Sequence, residues 1–387
     1  MTSLVTGGRV TAPETGDVPF LDLSGMSQEV RDEVLREWER LVDSGRFVGG
    51  EPVSRFEDEW AVYCGSSFAV GVANGTDALH LALRALGIGP GDEVVVPTNT
   101  FVATAEAVVL AGARPRFADV DPDTLLLTGA SLEAACTPAT RAVVAVHLYG
   151  QMPDMDELLA TADRLGLLVL EDAAQAQGAS WGPHVAGSLG AAGCFSFYPG
   201  KNLGAFGDAG AVCTSDAAVA ERLRSMRDHG RSAGGHHQHD LLGTNSRLDS
   251  VQAVVLSAKL RRLDRWNAER RQLMAAYAEL LDPDVALVRQ LPGGCGVHHL
   301  AVARVPDRDR LRERLAEQGI GTGLHYPTPC HLLPPYRGYA HAPLPVAEAQ
   351  ASRIVSLPLY PHMGLGRVAR VAETLNELVQ KERFDDR

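Results

Sequence analysis

Short apolar runs alternate with amphipathic stretches from about residue 66 to residue 215. The runs have the length and the valine-rich composition of buried strands, and the stretches between them repeat apolar residues at helical spacing. Four of the runs are FAVGVA (68–73), EVVVP (93–97), AVVAVHL (142–148) and LLVLE (167–171). This rhythm predicts βαβ units and a mostly parallel sheet flanked by helices.

The pattern changes after residue 215, where helical periodicity dominates. Residues 248–281 contain no Pro or Gly, which predicts one continuous helix of the kind that links domains. Beyond this helix we expect a strand in 296–305, a helix in 307–320 and a last helix near 367–381.

The chain has 387 residues, which is too long for one ordinary hydrophobic core. We predict an α/β protein with a large domain at residues 15–260. A smaller C-terminal α+β domain is expected at residues 261–387.

Composition argues against several function classes. The net charge is −12 and no stretch clusters Lys and Arg, which argues against nucleic-acid binding. No apolar run could span a bilayer and the first residues lack an apolar signal core, so we expect no membrane association. The six cysteines form no C-x-x-C pair, which argues against a zinc ribbon or a disulfide framework. We expect reduced thiols in a cytoplasmic protein.

One loop carries a lysine in a chain that otherwise uses arginine. Of the 36 Lys and Arg residues only three are lysine, and Lys201 lies in the loop SFYPGKNLGAFGDAG (196–210). A lysine in a desolvated pocket can lose its proton and form a Schiff base, whereas arginine stays protonated and is a poor nucleophile. The small number of lysines alone does not show that Lys201 has a chemical role. The residues expected near it are needed to distinguish a catalytic lysine from an ordinary one.

The residues that follow the predicted strands are those neighbours, because parallel sheets bind ligands at their carboxyl ends. Asn74-Gly75-Thr76-Asp77 follows the first strand. A glycine with a hydroxyl N-cap at Thr76 suits a phosphate, although simple helix capping explains the same residues. We expect the Asp77 carboxylate to turn away from such an anion.

Asp172 ends another strand and is followed by small residues at 173, 174, 176 and 178, as though a bulky group lay against the backbone. Its carboxylate could pair with a protonated ring nitrogen. If three adjacent strand ends carry Thr76, Asp172 and Lys201, they offer a phosphate cradle, a counter-ion and a nucleophilic amine. Pyridoxal phosphate needs this set. Phe101, at a fourth strand end, is a candidate to stack on the ring or an ordinary core residue.

Several motifs in one order identify a resemblance. They are NGTDALHLAL, VPTNTFVATAEA, EDAAQAQGA, FSFYPGKNLGAFGDAGAV, GTNSRLD and HYPTPCH. From PFLDL (19–23) to SLPLYPHM (356–363) the chain resembles the DegT-type nucleotide-sugar aminotransferases, which are fold-type I pyridoxal phosphate enzymes. The resemblance implies that the large domain binds the cofactor and that two subunits build each active site as a homodimer.

The resemblance also implies roles for individual residues. Lys201 would link to the cofactor and move the proton, and Asp172 would hold the pyridinium. Gln175 would contact the ring hydroxyl. The phosphate would be bound by a set of four residues, the last from the neighbouring subunit: Gly75, Thr76, Ser196 and Asn245. His325 and Tyr326 would contact the sugar and diphosphate, or form a rigid turn, and Arg247 would serve a dimer salt bridge or the substrate.

The resemblance further implies a dTDP-linked sugar and L-glutamate as substrates. Related dehydratases have His at the lysine position, so Lys201 favours transamination. The form PGKNLGxFGDAG is similar to enzymes that aminate carbon 3 of a 3-keto-6-deoxyhexose, while enzymes acting at carbon 4 more often carry an EGG-type ending. The chain departs from this pattern at GGHHQHDLLGTNSR, where those enzymes usually show a Lys-Tyr pair.

Three other interpretations stay open or are set aside. His236, His237, His239 and Asp240 include ordinary metal ligands, but no second cluster at zinc spacing accompanies them, and we expect no metal. A nicotinamide oxidoreductase would need G-x-G-x-x-G after its first strand, which GVANGTDAL does not supply. A non-catalytic regulatory or sugar-binding protein on the same fold remains the alternative to an enzyme.

Overall fold

The computed structural model describes residues 16–232 and 237–385. The strands of this part of the chain are β1 (Phe68–Val72), β2 (Glu93–Pro97), β3 (Arg114–Ala118), β4 (Thr140–Val146), β5 (Leu168–Asp172), β6 (Ser180–Trp181), β7 (His184–Val185), β8 (Ala192–Ser196), β9 (Gly210–Thr214), β10 (Ala286–Leu287), β11 (Gly294–Cys295), β12 (Ala301–Arg304) and β13 (Ile354–Leu357). They form a seven-stranded sheet and two small three-stranded sheets.

Helices cover both faces of the large sheet and build most of the C-terminal part. They are α1 (Ser24–Ser44), α2 (Glu51–Cys64), α3 (Gly75–Ala85), α4 (Val102–Leu110), α5 (Gly129–Ala135), α6 (Met155–Leu165), α7 (Ala217–Met226), α8 (Ser250–Leu260), α9 (Leu263–Leu280), α10 (Arg308–Glu317), α11 (Pro345–Ala351) and α12 (Leu365–Asp385).

The strand order in the large sheet is β1-β9-β8-β5-β4-β2-β3. All neighbours run parallel except β9, which is antiparallel to both β1 and β8. The prediction of an α/β fold with a mostly parallel sheet is therefore confirmed. The expectation of three adjacent strand ends is wrong, because the antiparallel strand β9 inserts between β1 and β8.

The period of two along each strand sends alternate side chains to opposite faces. Val94 and Val96 join a core beneath α3, α4 and α7, while Val95 between them joins a second core beneath α2, α5 and α6. Both faces are thus buried, which is why these strands read as continuous apolar runs.

Trp60 on α2 anchors the second core, where its indole is fully buried. Its ring lies edge-on to Phe195 at 4.9 Å and to Phe197 at 5.3 Å between centroids. Because a large cavity would remain, Trp60→Ala is expected to lower the free energy of unfolding by about 3–5 kcal/mol in urea titration. Val62→Ala on the exposed face of the same helix is the control, and a loss of equal size in both variants would contradict this role.

The C-terminal part has its own sheet, in the order β10-β12-β13, with antiparallel neighbours. Helices α9, α10 and α12 pack on it around Tyr277, Leu315, Leu357 and Leu375. The division of the chain at residue 260 stays a prediction.

Two predicted elements are shorter than expected. The helix over 248–281 is broken, because α8 ends at Leu260 and α9 begins at Leu263. No Pro or Gly marks the break; the Arg262 guanidinium caps α8 by donating to the Ala258 carbonyl oxygen at 2.6 Å. The strand expected in 296–305 contains only Ala301–Arg304, because His298 has a left-handed φ of 46° that leaves the extended region.

Two further expectations concern the chain as a whole. Among the described residues, no helix is long and apolar enough to cross a membrane. The cysteines are free thiols, and four of the six are buried.

Candidate active site

A cavity of about 460 Å³ opens where the carboxyl ends of the large sheet meet the C-terminal part. Nine of the eleven predicted site residues line it. They are Gly75, Thr76, Phe101, Asp172, Gln175, Ser196, Lys201, His325 and Tyr326. Asn245 and Arg247 do not line the cavity of their own chain.

Lys201 lies in a tight loop that follows β8 and turns back at Gly204. The backbone N–H of Lys201 donates to the Tyr198 carbonyl oxygen at 2.8 Å. A Cβ at Gly204 would lie 2.3 Å from the Pro199 oxygen, so only glycine permits this close return. Burial lowers the pKa of Lys201 to about 8, although the nearby carboxylate of Asp172 acts in the opposite direction. An amine with this pKa has a usable neutral fraction near physiological pH, as a nucleophile requires.

Asp172 is the last residue of β5 and is buried. Its Oδ2 accepts a hydrogen bond from Thr104 Oγ1 at 2.7 Å, and its Oδ1 accepts one from the Ala174 N–H at 3.2 Å. Burial raises the pKa of Asp172, and the Thr104 hydrogen bond opposes that rise. No cationic side chain among the described residues lies within ion-pair distance of this carboxylate, so a positive group entering the cavity would stabilise it.

The N-terminus of α3 faces the cavity through Gly75 and Thr76. Asn74 is the N-cap, and its Oδ1 accepts a hydrogen bond from the Asp77 N–H at 2.8 Å. The expectation of an N-cap at Thr76 is therefore wrong, because the asparagine two residues earlier takes that position. The N–H groups of Gly75 and Thr76 lie in the first turn, where helices leave them free for an anion.

Gly75 and Ser196 approach each other closely at this end of the cavity. A Cβ at Gly75 would lie 2.6 Å from the Cβ of Ser196, so this close approach of α3 to Ser196 requires glycine. Gly75→Ala is expected to weaken cofactor binding roughly tenfold to a hundredfold, measured by titrating the cofactor-free protein. Gly89→Ala is the control, because its nearest neighbour would be 3.8 Å away. Equal affinities in the two variants would show that this contact does not shape the site.

Gln175 connects the sheet to the HYPTPCH segment. Its Oε1 accepts a hydrogen bond from the Tyr149 N–H at 2.7 Å, and its Nε2 donates to the Tyr326 hydroxyl at 3.0 Å. The Tyr149 hydroxyl in turn donates to the His325 carbonyl oxygen at 2.6 Å. These bonds hold Tyr326 near Phe101, whose ring centroid lies 5.7 Å away.

The GTNSRLD segment lies behind the N-terminus of α3 rather than in the cavity. Asn245 is exposed, and Arg247 approaches Asp228 at 3.6 Å. Ser246 between them donates to the Asp77 carboxylate at 2.7 Å, and Asp77 does not line the cavity, as expected. The roles given to Asn245 and Arg247 stay predictions that need a second subunit.

The candidate metal ligands of the histidine-rich loop do not meet in the described residues. His236 lies outside the residues that the structure describes. His239 Nδ1 is 3.0 Å from the His229 oxygen, and Asp240 accepts a hydrogen bond from Gln238 at 3.2 Å. Over 16–232 and 237–385, no group of three or more His, Cys, Asp or Glu could hold a metal ion.

Sequence reasoning missed several residues of the cavity and its supports. Tyr198, Asp208 and His299 line it, and Thr104 holds Asp172. Thr104 could have been found, since it lies four residues after Thr100 at the start of a helix that follows a strand end. His299 carried no such signal, because the pattern predicted a strand there.

The residues of the cavity fit pyridoxal phosphate. Asp172 is a buried carboxylate without a described cationic partner, as a protonated ring nitrogen requires. The space beside Gly75 and the free N–H groups of α3 suit its phosphate, and Lys201 supplies the amine for its aldehyde. These residues therefore match the ring nitrogen, the phosphate and the aldehyde of the cofactor.

A model of the DegT/DnrJ/EryC1/StrS aminotransferase family matches residues 28–376. The chain belongs to this family. It is an aminotransferase that uses pyridoxal phosphate, which confirms the predictions of enzyme class and cofactor. The alternative of a non-catalytic protein is thereby set aside.

Two curated relatives and one solved structure are similar over nearly the full length. The chain is 46% identical to the dTDP-3-amino-3,4,6-trideoxy-alpha-D-glucose transaminase of Streptomyces venezuelae, over 95% of this chain and 98% of that protein. It is 44% identical to the UDP-N-acetyl-3-dehydro-alpha-D-glucosamine 3-aminotransferase of Acidithiobacillus ferrooxidans, over 92% and 97%. The crystal structure of S. venezuelae DesV in complex with a ketimine intermediate has a TM-score of 0.91 at 46% identity, over 95% and 99%.

Proposed function

We propose that the protein transfers the amino group of L-glutamate to a dTDP-linked 3-keto-6-deoxyhexose. The observation that carries the transamination is the shared cavity of Lys201 and Asp172. Carbon 3 and dTDP are favoured by the GDAG ending at 207–210 and by the similarity to the S. venezuelae transaminase. A 4-keto sugar is the alternative at the same site.

Lys201 and Asp172 would have different roles in the reaction. Pyridoxal phosphate, when bound, supplies an aldehyde and a ring that accepts electrons. Lys201 would hold the cofactor through its amine, and Asp172 would hold the positive charge of the ring nitrogen. Once released, the neutral Lys201 Nζ would take a proton from the donor and return it, a task that suits a pKa near neutrality.

The remaining predicted residues would bind and orient. Gly75, Thr76 and Ser196 would hold the phosphate, and Gln175 would contact the ring hydroxyl. His325 and Tyr326 are proposed to contact the sugar nucleotide. Both residues line the cavity from the C-terminal part of the chain, which supports this proposal.

We further propose a homodimer with shared active sites. Asn245 is exposed and lies outside the cavity of its own chain, which supports its contribution to the phosphate site of a second copy. Arg247 would act at the same boundary. The free cysteines support a reducing, cytoplasmic compartment.

The test is a substrate panel. The enzyme is incubated with L-glutamate and with 3-keto and 4-keto hexoses linked to dTDP or UDP, and the products are identified by mass spectrometry. Amination of the dTDP-linked 3-keto sugar alone supports the proposal. Preferred amination at carbon 4, or of UDP-linked sugars, would replace it with the corresponding alternative.

A further inference from the structure

His299 lies in the wall of the catalytic cavity, next to the start of β12. Its neighbour His298 lines a different surface cleft, between α9 and β12. The two adjacent histidines therefore face different surroundings. This pair provides a candidate residue and a matched control.

Two backbone carbonyl oxygens fix the side-chain amides behind His299. Asn267 Nδ2 donates to the Gln177 oxygen at 2.9 Å, so Asn267 Oδ1 points towards Asn202. Asn202 Nδ2 donates to that Oδ1 at 2.8 Å and to the Val297 oxygen at 3.1 Å. Because carbonyl oxygens only accept hydrogen bonds, neither amide can be flipped without losing a partner.

The fixed amides determine the tautomer of His299. Asn202 Oδ1 lies 3.1 Å from His299 Nδ1 and can only accept, so Nδ1 carries the hydrogen. Burial lowers the pKa of His299 well below its ordinary value, and the positive charges of Lys201 and Arg270 act in the same direction. The imidazole is therefore neutral, and Nε2 is a hydrogen-bond acceptor.

We propose that His299 is a positioning residue that accepts a hydrogen bond at Nε2 from the protonated Lys201 amine. The two side chains line one cavity, and Asn202, which holds the ring, directly follows Lys201 in the chain. The His299 ring is thus hydrogen-bonded to the residue next to Lys201, so the position of the ring is coupled to that of the amine. The proposal rests on the catalytic role proposed for Lys201.

Other acceptors in the cavity are less suited to this task. Asp172 is required by the ring nitrogen, and Asp208 is exposed. The Nδ1 of His325 is bound to the Ser356 hydroxyl at 2.8 Å, which can donate or accept, so its tautomer is not fixed. His147 also lines the cavity, and its Nε2 lies 2.8 Å from Glu171 Oε2. Unlike His299, it has no hydrogen bond to the residue that follows Lys201.

The tautomer can be tested without turnover. The cofactor-free protein is labelled with ¹⁵N-histidine, and the signals of His299 are assigned by their loss in His299→Gln. We expect an Nδ1–H, neutral imidazole throughout the pH range from 6 to 8. An Nε2–H tautomer or a positively charged ring would overturn the proposal.

The positioning role is tested in the separate half-reactions. In His299→Leu, the single-turnover rate with L-glutamate is expected to fall roughly tenfold to a hundredfold with an unchanged KM. His299→Gln, which keeps an acceptor, should recover part of the rate, and His298→Gln should match the parent enzyme. An unchanged glutamate rate in His299→Leu, or a loss confined to the sugar half-reaction, would contradict the proposal.

Failure of the proposed function gives a different result. If the parent enzyme does not react with L-glutamate, the proposed donor is wrong, whereas the labelled imidazole still decides the tautomer. If Lys201→Ala keeps the visible absorbance of the bound cofactor, the role of Lys201 is wrong. The inference about His299 then fails with it.

Discussion

Lys201→Ala is expected to reduce transamination by at least ~10⁴-fold, because one change would remove both the proposed nucleophile and the proposed carrier of the proton. The amine is held in the cavity by a loop that only glycine at 204 allows to close. Burial lowers the pKa of this amine to about 8, and alanine has no amine to replace it. Product formation is measured by mass spectrometry, and the cofactor linkage by visible absorbance.

Two lysine variants separate chemistry from structure in this experiment. Lys201→Arg keeps a positive charge and should be as inactive as alanine, since arginine is a poor nucleophile. Lys259 is buried, and burial lowers its pKa to about 8 as it does for Lys201, but Lys259 does not line the cavity. Lys259→Met should keep the cofactor absorbance. Retained absorbance and turnover in Lys201→Ala would refute the assignment.

Lys259 also shows why the rarity of lysine was an incomplete signal. Its Nζ donates to the Gly204 carbonyl oxygen at 2.7 Å and lies 4.6 Å from the Phe206 ring centroid. It therefore supports the loop of Lys201 from behind. Two of the three lysines are connected to this loop, and only the strand-end neighbours single out Lys201.

The sheet could be predicted because both of its faces are buried. Continuous apolar runs such as EVVVP mark strands that bury Val95 on one face and its neighbours Val94 and Val96 on the other, and these runs are visible in the sequence. The position of β9 could not be predicted in this way. Its direction depends on pairing with β1 and β8, which are distant in the sequence.

Breaks without Pro or Gly were equally hidden. The turn between α8 and α9 is capped by a guanidinium, and arginine is also a good helix former. The left-handed residue His298 interrupts the extended backbone, so that β12 begins only at Ala301. In both places tertiary contacts override a local pattern.

The site was predictable where chemistry follows a strand directly. Asp172 and Lys201 were found because the carboxyl ends of parallel strands meet at one edge. Asn202 and His299 lie on elements that only the fold brings together, and their 3.1 Å hydrogen bond spans 97 positions of sequence. Residue types alone give no indication of such a pair.

Asp172→Asn is expected to reduce kcat on the order of 10³-fold while the covalent link at Lys201 still forms. The substitution keeps the shape of the side chain and removes the charge that would pair with the ring nitrogen, a loss typical of a buried ion pair. The measurements are kcat for the complete reaction and the visible absorbance of the bound cofactor. Near-normal kcat with normal absorbance would show that the carboxylate charge is not used.

The stability of the cofactor-free protein distinguishes this electrostatic role from a structural one. Burial raises the pKa of Asp172 above its unfolded value of 3.8. Once the pH exceeds that value, the folded chain therefore holds this proton more tightly than the unfolded chain does. Ionisation at neutral pH therefore destabilises the cofactor-free fold, and this cost is absent at lower pH. Asp172→Asn should then raise the urea midpoint at pH 7 although it lowers kcat. Thr104→Val, which removes only one donor to the carboxylate, should lower kcat by about tenfold. A lower midpoint in Asp172→Asn would instead indicate that the carboxylate mainly holds the fold together.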